Sequence, residues 1–192
     1  MSLTPHNTVK SGDKTLKGII LSEFIEYIEQ KLGEGTTQKI ITDSELESEG
    51  AYTRVGMYDY QELISLLTQS AAETETDASV LLEGFADHLF GVFKRDYSVF
   101  FDDVDNAIQM LMQIDDHIHV EVKKLYPDAE LPSFDYTKSG TKLTLNYRSP
   151  RPLASVAQCL VGACLKYFGS NEKLTSSTIA QDHKSATFVI QT

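Results

Sequence analysis

Three side chains able to hold an anion stand at alternate positions in LNYRSPRPL, residues 145–153. Tyr147, Ser149 and Arg151 would share one side of an extended chain, because alternate side chains of a strand point to the same face. Arginine makes bidentate, charge-assisted bonds to carboxylates and phosphates, and two hydroxyl groups beside it can bond the same anion. Taken alone, the pattern is short and would often occur by chance, so an exposed strand end with its arginine in solvent is the better explanation.

A second candidate for chemistry is a histidine in QIDDHIHVEV, residues 113–122. On the helix predicted there, His117 lies between Gln113 and Glu121, on the more polar face. His119 lies beside the apolar stripe of that helix, so we predict that it is the more buried of the two histidines. The stripe consists of Leu111, Ile114, Ile118, Val122 and Leu125. Neutral imidazole is a common axial ligand of haem iron, whereas an isolated buried histidine is more often a hydrogen-bonded core residue.

The two candidates together match the needs of one ligand. Haem needs an axial donor for its iron and hydrogen-bond donors for its two propionate carboxylates. A helical histidine followed by a Tyr-x-Ser-x-Arg motif supplies both. The sequence therefore predicts haem b as the cofactor, with His119 as the ligand of the iron.

Hydrophobic periodicity and Gly/Pro punctuation predict the helices that would position these residues. Asp59 and Asp77 are suited to cap two of the helices at their N-termini. The stretch ending at Pro127 predicts one or two helices, and residues 33–58 give no clear assignment. The helices are predicted over residues 18–32, 59–73, 77–97, 103–127 and 152–170.

Alternation of apolar and polar residues predicts two β-hairpins in the last third of the chain. The first is PSFDYTKSGTKLTLNYRS, turning at Ser139-Gly140, and the second joins KLTSSTIAQ to SATFVIQT. The predicted fold class is α+β, with a helical N-terminal subdomain and a C-terminal subdomain of helices and a four-stranded antiparallel sheet. We expect residues 1–15 to form an N-terminal tail and residues 16–192 to form one domain.

Composition excludes several classes of function. The net charge of −11 argues against non-specific binding of nucleic acid or anionic lipid. No apolar run approaches the ~20 residues that span a membrane, and the first residues lack the apolar segment of a signal peptide. Cys159 and Cys164 form no CxxC pair, so neither a thiolate zinc site nor a disulfide framework is expected. Two buried, reduced thiols and a cytoplasmic location are the prediction.

The chain resembles the haem NO/oxygen-binding (H-NOX) domain family, a sensor fold also found in soluble guanylate cyclase. The resemblance runs from about residue 16 to the C-terminus through LKGII, GAYTRVGMYDYQEL, HLFGVF, IDDHIHVEVKKLYPDAELP and YRSPRPL. It implies that haem lies between the two subdomains and that His119 ligates the iron from the proximal side. It also implies that Tyr147, Ser149 and Arg151 hold the propionates. Pro132 stands where the family packs a proline against the porphyrin.

The resemblance also has implications for gas selectivity. Oxygen-binding members look to have a distal tyrosine nine residues after the motif tyrosine, where this chain has Val156. Other positions of the distal network fall on Phe24 and Leu89, and we expect Ile20, Leu89, Phe93 and Val156 to line the distal pocket. For any one of them, ordinary core packing is an equally good explanation. Since bound O₂ needs a hydrogen bond worth ~1–3 kcal/mol, a pocket of this kind should favour NO and CO.

The chain departs from the family pattern in several places. Residues 31–50 match poorly, and the tryptophan often found there is absent. Some relatives have a cysteine-rich zinc site near the C-terminus, but STIAQDHKSATFVIQT has no cysteine, so that site is not expected. We predict that His88 is a structural or solvent-facing residue and not a second haem ligand.

By resemblance, the protein is a stand-alone nitric oxide sensor and not an enzyme. NO would weaken the bond between iron and histidine, and a separate histidine kinase or cyclic-di-GMP enzyme would read the resulting shift between subdomains. One alternative is a haem-dependent enzyme such as a peroxidase, which needs a distal acid–base pair that these apolar positions do not supply. Another is a haem-free binding module of the same fold, against which His119 and the Tyr-x-Ser-x-Arg motif argue.

Overall fold

The N-terminal part of the chain is mainly helical. The computed structural model describes residues 14–169 and 171–191, so most of the predicted N-terminal tail lies outside the described residues. Residues Thr15–Lys17 pair with Met57–Asp59 as two short antiparallel strands. These elements are α1 (Gly18–Leu32), α2 (Glu34–Asp43), α3 (Tyr60–Thr74), α4 (Ala78–Asp96), β1 (Thr15–Lys17) and β2 (Met57–Asp59).

The N-termini of α3 and α4 are capped by Asp59 and Asp77, as predicted. The side chain of Asp59 accepts a hydrogen bond from the N–H of Gln61 at 2.9 Å, and Asp77 accepts one from the N–H of Ser79 at 2.8 Å. These are N-cap bonds, which satisfy backbone donors left free in the first turn. By contrast, α2 and the first two residues of β2 fall within residues 33–58, for which no clear assignment was predicted.

The helical run predicted over residues 103–127 is interrupted. It consists of α5 (Ala107–Met112), a π-helical turn (Ile114–Ile118) and α6 (His119–Leu125). The helix begins at residue 107 and not 103, because Asn106 caps it by accepting a hydrogen bond from the N–H of Gln109 at 3.0 Å. The predicted apolar stripe is wrong at Leu125, which is 59% exposed. The π turn adds a residue and rotates α6 relative to α5, so the stripe does not continue straight.

The C-terminal part contains the predicted four-stranded antiparallel sheet. Its strands are, in spatial order, β3 (Ser133–Ser139), β4 (Lys142–Arg148), β6 (Ser185–Gln191) and β5 (Lys173–Ile179). The helix α7 (Ala154–Phe168) follows β4 in the chain. Leu143, Leu145 and Tyr147 alternate along β4 and face the core, where α5 and α7 cover the sheet. The α+β fold class is therefore confirmed. No helix among the described residues is long and apolar enough to cross a membrane.

Candidate functional site

A cavity of about 330 Å³ lies between the helical core and the core of the sheet-bearing part. Its walls come from elements of both parts, and most of the side chains that line them are apolar. The structure therefore brings together residues that are far apart in the sequence. Nine of the ten predicted site residues line this cavity: Ile20, Leu89, Phe93, His119, Pro132, Tyr147, Ser149, Arg151 and Val156.

Phe24 is the predicted site residue that does not line the cavity. It is fully buried in the helical core, where its ring meets that of Phe85 edge-on at 5.0 Å between centroids. Phe24 follows the cavity-lining Ile20 by one helical turn, so it shares the same face of α1 but lies about 6 Å further along it. Its position is that of an aromatic core residue.

The two histidines of the helical run differ in environment. His117 is exposed, whereas the side chain of His119 is 17% exposed and lines the cavity. The Nδ1 of His119 lies 3.1 Å from the Oδ1 of Asp115. Burial lowers the pKa of His119, and the Asp115 carboxylate opposes that shift in part. The neutral imidazole is thus favoured, and this is the form that binds metal ions.

Tyr147, Ser149 and Arg151 all line the cavity, although only Tyr147 belongs to strand β4. Burial raises the pKa of the Tyr147 phenol, while a hydrogen bond with Ser149 and the charge of Arg151 lower it. The N–H of Arg151 donates to the Oγ of Ser149 at 3.1 Å. The three groups therefore act on one another directly, as their spacing predicted, even though the chain leaves the regular strand after residue 148.

Arg151 is a cation held almost entirely out of water, at 2% exposed. Its guanidinium donates to the carbonyl oxygen of Thr15 at 2.6 Å and to that of Glu130 at 2.5 Å. These partners lie in β1 and in the loop after α6, so one side chain joins three segments at the cavity wall. A buried guanidinium here provides positive charge where an anionic group of a ligand would lie.

Several cavity-lining residues were not predicted from the sequence. Phe134 pairs directly with Tyr147 across the β3–β4 hairpin, and their rings lie 5.3 Å apart. The hairpin register alone could have identified it. Tyr97 and Tyr126 also line the cavity, with their hydroxyl oxygens 3.2 Å apart. No local signal pairs these tyrosines, since they end different helices.

His88 and Cys159 lie outside the cavity, whereas Cys164 is one of the residues that line it. The Nε2 of His88 is 3.0 Å from the Oε2 of the buried Glu23, and His88 does not line the cavity. Cys164 is buried as predicted, whereas Cys159 is only partly buried. Burial raises the pKa of the Cys164 thiol to about 12, and burial with nearby acidic groups raises that of Cys159 to about 11. Both are therefore thiols at neutral pH.

The donor set of the cavity fits haem. A neutral imidazole, two hydroxyls and a buried guanidinium line the cavity, and apolar side chains form most of the remaining surface. An axial nitrogen donor and a cationic site for carboxylates are the polar contacts that haem needs. The apolar walls suit the faces of a porphyrin.

Comparison with known proteins supports this assignment. The family model described as Haem-NO-binding matches residues 17–176. The Fe(II) unliganded H-NOX protein from K. algicida is 38% identical, with a TM-score of 0.83 and coverage of 92% of this chain and 96% of that chain. The IWP-051-bound H-NOX from Shewanella woodyi in the Fe(II)CO state is 31% identical, with a TM-score of 0.76 and coverage of 92% and 94%.

An H-NOX protein from S. oneidensis in the Fe(II)NO state shares the fold, with a TM-score of 0.81, 22% identity and coverage of 92% of this chain and 98% of that chain. A comparison with curated protein sequences yields no match. The fold and the cavity define the class as an α+β haem-binding domain. The chain belongs to the haem-NO-binding, or H-NOX, family. Members of this family are haem-based gas sensors, and the prediction of a haem iron cofactor is confirmed.

Proposed function

We propose that the protein senses nitric oxide at a ferrous haem and passes the signal to a separate protein through a conformational shift. One observation carries this proposal: His119 and the Tyr147-Ser149-Arg151 group lie on the walls of the same apolar cavity. An isolated buried histidine, or an isolated arginine at a strand end, would have supported neither an axial ligand nor a propionate site. Their convergence provides both for one molecule.

Each residue has a defined task in this proposal. When bound, the haem supplies the iron at which the gas binds. His119 would provide a nitrogen ligand for the iron, since burial favours its neutral imidazole. Arg151, Ser149 and Tyr147 hold the propionates by charge and hydrogen bonding. Pro132, the residue directly before β3, would pack against the porphyrin.

The apolar wall formed by α1, α4 and α7 sets the gas preference. Ile20, Leu89, Phe93 and Val156 line it and carry no hydrogen-bond donor on their side chains. O₂ bound in such a site acquires partial negative charge that these side chains cannot stabilise, at a cost of ~1–3 kcal/mol. NO and CO need less help from the protein. This wall therefore favours NO and CO over O₂.

The position of His119 suits it to pass on a signal. It is the first residue of α6 and directly follows a π-helical turn, a local departure from α-helical geometry that is frequent at functional sites. A change in the bond between His119 and its metal would act on α6 and on the contact between the two parts of the domain. A ligand that favours one of two arrangements shifts the population toward it. By resemblance, the partner is a histidine kinase or a cyclic-di-GMP enzyme.

The test is the absorbance spectrum of protein reconstituted with haem, reduced, and then exposed separately to air and to NO. We expect a five-coordinate ferrous spectrum that shifts with NO and shows no stable oxygen-dependent change in air. A stable oxygen-bound spectrum would contradict the assigned gas preference. Failure to take up haem would refute the proposal and favour a haem-free binding module, and turnover of added peroxide would favour an enzyme.

A further inference from the structure

Asp115 contacts two elements of the cavity wall through a single oxygen atom. Its Oδ1 lies 3.1 Å from the Nδ1 of His119 and accepts a hydrogen bond from the backbone N–H of Phe134 at 3.2 Å. Asp115 belongs to the π-helical turn, and His119 follows it by four residues. The carboxylate thus joins that turn to the first turn of α6 and to the start of β3.

The chemistry of the contact determines which nitrogen of His119 carries the lone pair that can bind a metal. A carboxylate only accepts hydrogen bonds, so the proton shared with Asp115 resides on Nδ1. The lone pair then resides on Nε2, the atom left to bind a metal. A negatively charged acceptor on Nδ1–H also increases the electron density of the ring and makes Nε2 a stronger donor.

We propose that Asp115 is a positioning residue that fixes the tautomer and orientation of His119 and strengthens its bond to the iron. This inference rests on the proposed function, in which His119 is the axial ligand. Asp115 would then set how tightly His119 holds the iron. The strength of the bond between iron and His119 would then depend on the π-helical turn and not on His119 alone.

The second contact of Asp115 links His119 to the propionate site. The Phe134 ring lies 5.9 Å from the His119 ring and 5.3 Å from the Tyr147 ring, measured between centroids. By holding the Phe134 N–H, Asp115 keeps this aromatic row in place. Its two tasks can be separated, because an asparagine oxygen can still accept from both N–H groups but lacks the negative charge.

The experiment compares Asp115→Asn and Asp115→Ala with Asp116→Asn, a control of the same type in the same turn. Asp116 is exposed. In the reduced, haem-loaded proteins we would measure the iron–histidine stretching frequency by resonance Raman spectroscopy. We expect a downward shift in both Asp115 variants and none in the control. Haem retention should fall by roughly 10- to 100-fold in Asp115→Ala, as is usual when an outer partner of a metal ligand is lost.

A second measurement uses the haem-free protein, so that this inference and the proposed function can fail independently. ¹⁵N NMR of the His119 side chain should show a proton on Nδ1 in the wild type and a mixture of tautomers in Asp115→Ala. An unchanged iron–histidine frequency in Asp115→Asn, with the band present in the wild type, would overturn the charge-based role while His119 remained the ligand. If the wild type shows no iron–histidine band, the proposed function fails. If Asp115→Ala also keeps the same His119 tautomer as the wild type, the positioning role of Asp115 fails as well.

Discussion

Replacement of Arg151 by alanine should destabilise the fold itself, even without haem. The guanidinium is 2% exposed and bonds the carbonyl oxygens of Thr15 and Glu130 at 2.6 and 2.5 Å. A hydrogen bond to a charged group contributes about 1.5–3 kcal/mol, and the substitution would leave two carbonyl groups without this donor. These contributions overlap, so we expect the free energy of unfolding to fall by about 3 kcal/mol.

A loss of about 3 kcal/mol is a large share of the ~5–15 kcal/mol that stabilises a typical domain. For a chain of this size it corresponds to a decrease of about 6–12 °C in the midpoint of thermal unfolding. The assay is urea unfolding of the haem-free protein, followed by circular dichroism, together with a thermal melt. Haem retention should also fall, because the propionates would lose their cation.

Arg148→Ala is the matched control. Arg148 lies three residues earlier, is 70% exposed on its side chain, and pairs with Asp135 at 3.2 Å on the surface. Exposed ion pairs contribute little, so this substitution should change the unfolding free energy by less than about 1 kcal/mol. Arg151→Lys should recover only part of the loss, because a single ammonium group cannot match the planar fork that spans two carbonyls. Equal stability of the Arg151→Ala and Arg148→Ala variants would refute the reasoning.

Four further predictions follow from the site and the backbone. His119→Ala should abolish the five-coordinate ferrous spectrum until free imidazole is added, whereas His117→Ala should leave it unchanged; the reverse result would show that the wrong face of the helix was chosen. Burial lowers the pKa of His119 from 6.5, so as pH falls below about 6.5 the unfolded chain binds a proton before the folded one does and stability decreases. Urea unfolding of the haem-free wild type should therefore show a larger loss between pH 7.5 and 5.5 than His119→Ala does. Val156→Tyr should increase the O₂ affinity of the reduced protein, measured by gas titration, by up to the ~1–3 kcal/mol of one hydrogen bond. An unchanged affinity would mean that position 156 does not face the gas. Gly18→Ala should destabilise the fold, because the added Cβ would collide with a backbone carbonyl. Gly91 in α4 has open space around it, so Gly91→Ala should raise the free energy of unfolding by about 0.5–1 kcal/mol in the same assay. Equal effects of the two substitutions would contradict this packing.

Local sequence was sufficient where one strong signal dominated. α1 covers the residues predicted for it, and the caps at Asp59 and Asp77 form as expected. The first hairpin and the partial burial of His119 also follow from alternation and periodicity along short stretches. Such features depend on residues a few positions apart, so the sequence carries their signal directly.

Other features depend on contacts that no short stretch contains. The helix α2 buries only Thr37 and Ile40, so it has no continuous apolar stripe and depends on its neighbours. The π-helical turn shifts the stripe that periodicity predicted, which leaves Leu125 exposed. A regular repeat assumes an uninterrupted α-helix, and one additional residue in a turn invalidates it.

The sequence by itself determined the fold class, the order of most elements and the residue types of the site: an imidazole on a helix, and two hydroxyls with a guanidinium after a strand. Only the tertiary structure decided that these groups share one cavity, that Phe24 belongs to the core, and that Asp115 holds His119. Arg151 and the Thr15 carbonyl that it binds are 136 positions apart, a separation at which sequence spacing carries no geometric information. Such contacts exist because the two apolar cores pack against each other around the cavity, and that packing is a property of the whole chain.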